Sequence, residues 1–188
     1  MDRSGHGAGG RDTFTAVIMT GERVILRPGT DDDVARLLSI LREPEVARRW
    51  GDFDAHEVAD HFVGTETAFV IEVDEEAVGA IQYHEEDDPM YRHAGIDLFV
   101  ATQHHRRGLG SDAIRTLARY LLRVKGHHRL SIDPAADNHA AIATYEQVGF
   151  RRVGVMRAYE RGPDGTWHDG LLMDLLEGEL TDRPSNGG

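Results

Sequence analysis

The stretch Ala101-Thr102-Gln103-His104-His105-Arg106-Arg107-Gly108-Leu109-Gly110-Ser111-Asp112-Ala113-Ile114 limits this chain most: a strand ends, a basic turn with glycines follows, and a helix begins. Gly108 and Gly110 let main chain approach an anion closely, and the opening N–H groups and dipole of a helix favour negative charge at that end. Arg106 and Arg107 add mobile positive charge. Ile114, Leu117, Ala118 and Leu121 fall at i, i+3, i+4 and i+7, so the helix has one apolar face that must be buried. The turn is neither a Walker A loop, since Gly-Lys-Ser/Thr is missing, nor a Rossmann G-x-G-x-x-G. A purely structural glycine turn before a helix has the same look, and on these residues alone both readings stand.

The surrounding chain reads as alternating short strands and helices. Val24–Leu26 is a strand stopped by Pro28-Gly29, and Thr30 with Asp31–Asp33 opens a helix whose stripe is Leu37, Leu38 and Leu41. One helical region covers about Glu45 to Phe62 and carries Trp50 beside a Gly51-Asp52 turn. Ala68–Ile71 and Val78–Ile81 form a hairpin around Asp74-Glu75-Glu76, and a further strand covers His93–Val100. After the helix from Gly110 comes a brief strand, Leu130–Ile132. Asn138 then caps a helix with Ala141, Ile142, Tyr145 and Val148, ended by Gly149. Strands near Arg151–Tyr159 and Trp167–Leu176 flank Gly162-Pro163-Asp164-Gly165. The predicted order is β-α-α-β-β-β-α-β-α-β-β, an α/β domain over residues 19–178, with a Gly-rich disordered extension at 1–18 and a loose tail at 179–188. Met19 is a candidate start.

At 188 residues the chain suits one domain with a substantial core. No apolar run approaches the length of a bilayer span, and the opening residues lack a secretory pattern, so the expectation is a cytoplasmic protein without membrane contact. The absence of cysteine removes disulfides, thiolate nucleophiles and cysteine-bound zinc. A net charge of −12 argues against general nucleic-acid binding and suits a cationic small-molecule partner, although acidic surfaces also serve solubility. The eleven histidines include the pairs His104-His105 and His127-His128, but neighbouring side chains diverge on a strand or helix, so no metal site is read.

Two segments together carry a resemblance. His105-Arg106-Arg107-Gly108-Leu109-Gly110 resembles the Q/R-x-x-G-x-G/A turn with which the GNAT acyltransferases grip the coenzyme A pyrophosphate; His105 departs from the usual first residue, which leaves the main-chain cradle in place but questions any side-chain contact there. Asn138, Ala141, Tyr145 and Gly149-Phe150 are similar to the family's N-x-x-A-x-x-x-Y-x-x-x-G-F helix. The likeness runs from about Glu22 to Glu177. It implies the GNAT fold, a mixed and mostly antiparallel sheet splayed where acyl-CoA enters, and acetyl-CoA as co-substrate. By the same resemblance acetyl-CoA meets Phe99 and Val100 at the strand end, His105 through Ser111 at the turn, and Asn138 and Tyr145 on the later helix. Tyr145 would protonate the departing thiolate; without the motif it would read as a packed aromatic. Glu146 is expected to face solvent.

Gly95-Ile96-Asp97-Leu98, Ile132-Asp133-Pro134 and Trp50-Gly51 look like the aminoglycoside 6′-N-acetyltransferases within that superfamily. The resemblance implies that Asp97 and Asp133 bind drug amines, that Asp97 helps deprotonate the attacking one, and that Trp50 stacks on a sugar ring. Each has a plain alternative: service to a neighbouring backbone or Arg for Asp97, a turn start for Asp133-Pro134, and partial core for Trp50. Asp137 is read as support for the Asn138 helix start, and Glu85–Asp88 as a solvated loop. The expected activity is acetyl transfer to an aminoglycoside 6′-amine. Alternatives are a GNAT enzyme for a kasugamycin-type drug, a siderophore hydroxylamine, a polyamine or a protein N-terminus, or a non-catalytic acyl-CoA sensor, with a monomer or homodimer in each case.

Overall fold

The computed structural model describes residues 17–181. The expectations for residues 1–16 and 182–188 lie outside the described residues. Among the described residues the strands and α-helices follow in the order β1 (Met19–Thr20), β2 (Ile25–Arg27), α1 (Asp31–Leu41), α2 (Pro44–Trp50), α3 (Ala55–Phe62), β3 (Ala68–Val73), β4 (Glu76–Glu86), β5 (His93–Val100), α4 (Leu109–Arg123), β6 (Arg129–Ile132), α5 (His139–Val148), β7 (Arg151–Arg161) and β8 (Trp167–Leu176). The strands make one sheet in the order β1-β2-β3-β4-β5-β6-β8-β7. Every neighbouring pair is antiparallel except β5 with β6.

That exception shapes the molecule. β5 pairs with β4 along its whole length, from His93↔Glu86 to Val100↔Gly79, but with β6 only at Ala94↔Leu130 and Gly95↔Ser131. Beyond Gly95 the two parallel strands part, and main-chain groups on that side of β5 are left without a strand partner. Alternation along the strands divides the apolar side chains between two cores. Ile71, Ile81 and Ile96 join Ile114, Leu117 and Leu121 of α4 and Val148 of α5; Val70, Ala80 and Phe99 join Leu37, Ile40, Val58 and Phe62 beneath α1 and α3. The α4 stripe is fully buried, each leucine contributing about 2 kcal/mol. Val17 and Leu180 also pack against the first core, so packed chain extends slightly past residues 19–178 at both ends.

Local chemistry explains the element ends. The Asp33 carboxylate accepts from Thr30 N–H at 2.9 Å, closing the first turn of α1, and takes both Arg27 guanidinium nitrogens at 2.8 Å; the Arg27 contact chiefly holds its pKa down, at about 2. Asp74 and Glu75 both have positive φ (49° and 64°), giving the tight β3–β4 hairpin its two-residue turn.

Three expectations are corrected. The helical region 45–62 is two helices: Gly51 turns left-handed (φ 83°), and Asp54 starts a new helix by accepting from His56 and Glu57 N–H. In α1 the fully buried stripe is Leu37, Ile40 and Leu41, with Leu38 only half-buried. Glu85 is not part of a solvated loop, because β4 continues through it and its carboxylate receives Lys125 at 2.9 Å and the buried His127 at 2.6 Å. Among the described residues no helix is long and apolar enough to cross a membrane.

Candidate active site

β5 ends at Val100, and a single helical turn, Thr102–His104, leads to the basic segment. Arg106 (φ 59°) and Gly108 (φ 76°) are left-handed, which folds the chain into a concavity ahead of α4. The first hydrogen bond closed there is Asp112 N–H to Gly108 O at 3.1 Å, so the N–H groups of Leu109, Gly110 and Ser111 have no partner inside the helix. Three contacts brace the turn from behind: His105 Nε2 lies 2.8 Å from Val100 O, Ser111 Oγ donates to Gly108 O at 2.9 Å, and Arg23 Nη1 donates to Arg107 O at 2.7 Å. Asp112 would repel an anion if it faced forward. Its carboxylate instead accepts the backbone N–H groups of Glu22, Arg23 and Val24, at 3.2, 2.7 and 3.1 Å. The approach is close enough that a side-chain carbon at Gly21 would stand 2.5 Å from Asp112 Oδ2.

Where β5 and β6 part, a cleft of about 280 Å³ opens. α2 contributes Arg49 and Trp50, β4 Gln82, β5 Asp97 and Leu98, the loop after β6 Asp133 and Pro134, α5 Tyr145 with its cap Asn138, and β7 Glu160. A larger open depression of about 450 Å³ between Arg36, Glu43 and Gln103 holds neither the phenol nor the facing carboxylates, so the chemistry belongs to the smaller cleft. Burial first, and then the charge of Asp133, raise the pKa of Asp97 above the ordinary aspartate value, with His84 and Gln82 pulling the other way. Burial also pushes the Tyr145 phenol far up, and Asp97 and Asp133 reinforce the shift. Among the described residues the one guanidinium lining the cleft, that of Arg49, is held by Asp137 at 2.6 Å. The cleft therefore presents carboxylates to a ligand and a protonated phenol at its inner end.

A model of the acetyltransferase (GNAT) family matches residues 34–150. The chain belongs to that family. It is 26% identical to aminoglycoside N(6′)-acetyltransferase type 1 of Klebsiella pneumoniae over 174 residues, 81% of this chain and 84% of the relative. Among solved structures, RimJ of Mycobacterium smegmatis in complex with CoA-disulfide superimposes with a TM-score of 0.73 at 24% identity, covering 90% of each chain. The aminoglycoside acetyltransferase AAC(6′)-Ib in complex with coenzyme A does so with a TM-score of 0.65 at 24% identity, over 81% of this chain and 94% of that one. The GNAT fold and the acetyl-CoA-dependent N-acetyltransferase activity of the family are therefore those of this chain.

Against that background, the residues expected from sequence fall into three groups. Asp97, Asp133, Asn138, Tyr145 and Trp50 meet in the cleft; Arg106, Arg107, Gly108, Gly110 and Ser111 form the turn; the side chains of Phe99 and Leu109 are buried in the cores, which leaves only their main chain for a ligand. Trp50 lines the cleft and packs edge-on against Phe99 with centroids 5.0 Å apart. Asn138 caps α5 through its oxygen, which accepts from Ala141 N–H at 3.3 Å. Asp137 bridges to Arg49 besides preceding that cap, and Glu146 is exposed beside Arg152. Among the described residues no group of three or more His, Asp or Glu side chains is placed to hold a metal.

Sequence reasoning missed Arg23, Arg49, Gln82, His84 and Glu160. The first has a measurable consequence. With the Arg23 guanidinium removed, the carbonyl of Arg107 loses a charged donor and the turn loosens, so Arg23→Ala should raise the KM for acetyl-CoA roughly tenfold with kcat changed less than about twofold. Initial rates over a range of acetyl-CoA concentrations check this.

Proposed function

We propose that the protein acetylates an amine of a cationic small molecule, an aminoglycoside at its 6′-amine, and that it does so in the cytoplasm. The observation that carries the reading is the convergence of Asp97, Asp133 and Glu160 on a cleft that ends at Tyr145, with the helix-start turn at the far end of the same strand. The likeness to an aminoglycoside N(6′)-acetyltransferase over most of both chains supports this acceptor class.

In this reading, Leu109, Gly110 and Ser111 N–H groups hold the diphosphate, helped by Arg106 and Arg107. The pantetheine arm lies in the gap between β5 and β6, against the main chain of Leu98, Phe99 and Val100 on one side and the Asn138 amide NH₂ on the other. An ammonium cannot attack a thioester. Asp97, with its raised pKa, takes the proton directly or through one water, and Asp133 and Glu160 hold the charges the acceptor keeps. The freed nitrogen attacks the thioester carbonyl carbon and then sheds its second proton, the C–S bond breaks, and Tyr145 gives its proton to the leaving sulfur; the proton shed by nitrogen reprotonates Tyr145 through water, and Asp97 releases the first proton to solvent. The chain contains no cysteine for an acetyl-enzyme, so transfer is direct within a ternary complex.

Thiol release from acetyl-CoA, measured separately with kanamycin, tobramycin, kasugamycin, spermidine and a peptide N-terminus, tests this. Turnover is expected with the kanamycin-type drugs at a kcat/KM at least tenfold above the rest. Preference for the peptide or for spermidine overturns the acceptor, and cofactor binding without turnover of any amine overturns catalysis in favour of an acyl-CoA sensor.

A further inference from the structure

β5 and β6 pair briefly and then part, yet the chain that follows each strand is tied to the same short helix, α2. α2 starts at Pro44, whose missing N–H suits a first helical position, and Glu43 stands just ahead of it. A side-chain oxygen at that place ordinarily accepts from the opening N–H groups of its own helix. Glu43 makes no such bond. Its carboxylate accepts instead from Thr102 N–H at 2.7 Å, at the first residue of the turn that continues β5. Near the other end of α2, Arg49 Nη1 donates to Asp137 Oδ1 at 2.6 Å. Asp137 stands in the segment that continues β6, directly before Asn138. The Arg49 contact holds the Asp137 carboxyl below the ordinary aspartate range, so it stays ionised at neutral pH.

The dimensions of this crossing agree with its place. Neighbouring strands of a sheet lie about 4.8 Å apart, so seating one extended chain between β5 and β6 needs about 10 Å. About 9 Å of helix separates Glu43 from Arg49. Two strand ends without a shared ladder do not set their own spacing, whereas a helix is stiff along its axis. α2 is also anchored apart from these two contacts: Val46 is buried, and the Trp50 ring packs against Phe99 and Phe62 with centroids 5.0 and 6.3 Å away. Removing either polar contact therefore leaves the helix in place and frees one end of the span.

We propose that α2 is a spacer that holds the β5–β6 gap at the width of one extended chain, the pantetheine arm of the cofactor. Glu43 and Arg49 are its positioning residues. In this role neither touches the cofactor: Glu43 acts through the backbone of Thr102, and Arg49 through the segment that presents Asn138. A helix pinned for stability alone would not distinguish one part of the cofactor from another. A spacer does, because its loss takes the slot from the arm and leaves the diphosphate the N–H groups of Leu109, Gly110 and Ser111. The inference rests on the arm lying in that gap.

Calorimetric titration of the whole protein with two ligands tests this: coenzyme A, and 3′-phospho-ADP, which has the diphosphate but no arm. Wild type should bind coenzyme A roughly tenfold or more tighter than 3′-phospho-ADP. Glu43→Ala and Arg49→Ala should each weaken coenzyme A roughly tenfold and leave 3′-phospho-ADP within about twofold. Glu43→Gln keeps an oxygen that can accept from Thr102, and should stay within about threefold of wild type for both ligands. Asp137→Ala should match Arg49→Ala, and the double variant should be no weaker than either, since all three remove one contact. Loss of both ligands in the same proportion, additive losses in the double variant, or unchanged coenzyme A binding by Glu43→Ala and Arg49→Ala overturns the spacer and leaves the seat of the arm intact. Equal affinity of the wild type for the two ligands removes the arm from the gap, and that reading and this inference then fail together.

Discussion

Tyr145→Phe should lower kcat on the order of a hundredfold while leaving the KM for acetyl-CoA within about twofold. The phenol is buried on α5, its ring packs 6.3 Å from that of Phe150, and it faces Asp97 and Asp133 across the cleft. Burial and those two charges resist formation of phenolate, so the group stays protonated at neutral pH and can give a proton to a departing sulfur. General acid catalysis is worth about 10² to 10⁴, and the low end applies because a thiolate is a tolerable leaving group and water can protonate it. Phe keeps the apolar contacts, so stability and cofactor binding are preserved. An equal loss in kcat and in acetyl-CoA affinity would instead mark Tyr145 as packing.

Asp97→Asn should reduce kcat/KM for the amine by roughly a hundredfold and abolish the acidic limb of the pH profile. With Asp97 as the proton acceptor proposed above, activity needs the ionised carboxylate, and burial together with Asp133 raises its pKa above the ordinary value. Activity therefore falls as pH drops through that raised pKa, at higher pH than an exposed aspartate would give. The linkage runs the other way for stability. A carboxyl whose folded pKa exceeds its unfolded one favours the fold most below the unfolded pKa, and this contribution is lost as pH rises through the folded pKa. Above that raised pKa the ionised, partly buried Asp97 is thus a cost, and there the Asn variant should melt at the same temperature as wild type or higher. Kinetics and thermal melts from about pH 5 to 9 check both halves; an unchanged pH profile would remove Asp97 from the proton path.

What sequence made legible was set by local periodicity and termini. The burial of Ile114, Leu117 and Leu121 follows from helical spacing, and the ends of α5 follow from Asn138 and from Gly149, whose φ is 119°. The β5 limits and the alternation that places Asp97 opposite Ile96 and Leu98 were readable for the same reason. Contacts made across the sheet were not. His84 lies over Gly95, where an added side-chain carbon would meet its ring at 2.0 Å, but only the register Gly95↔His84 brings them together. Arg49 carries no local signal of its place, because its partner Asp137 lies far along the chain. Glu160 was hidden most deeply. It lines the cleft beside a bulge centred on Ala158, a residue with no turn preference, while the glycine that admits the bulge lies across the hairpin at 170.

The most direct measurement is calorimetric titration of coenzyme A into the protein and into Gly108→Val. Gly108 is left-handed at the entry to α4, a conformation closed to a β-branched residue, while a side-chain carbon there would come no nearer than 3.4 Å to its closest neighbour, Arg23. If main-chain amides at that helix start hold the diphosphate, the wild type binds one coenzyme A per chain and the variant binds at least tenfold more weakly. Equal binding by both proteins, or no binding by either, would contradict it.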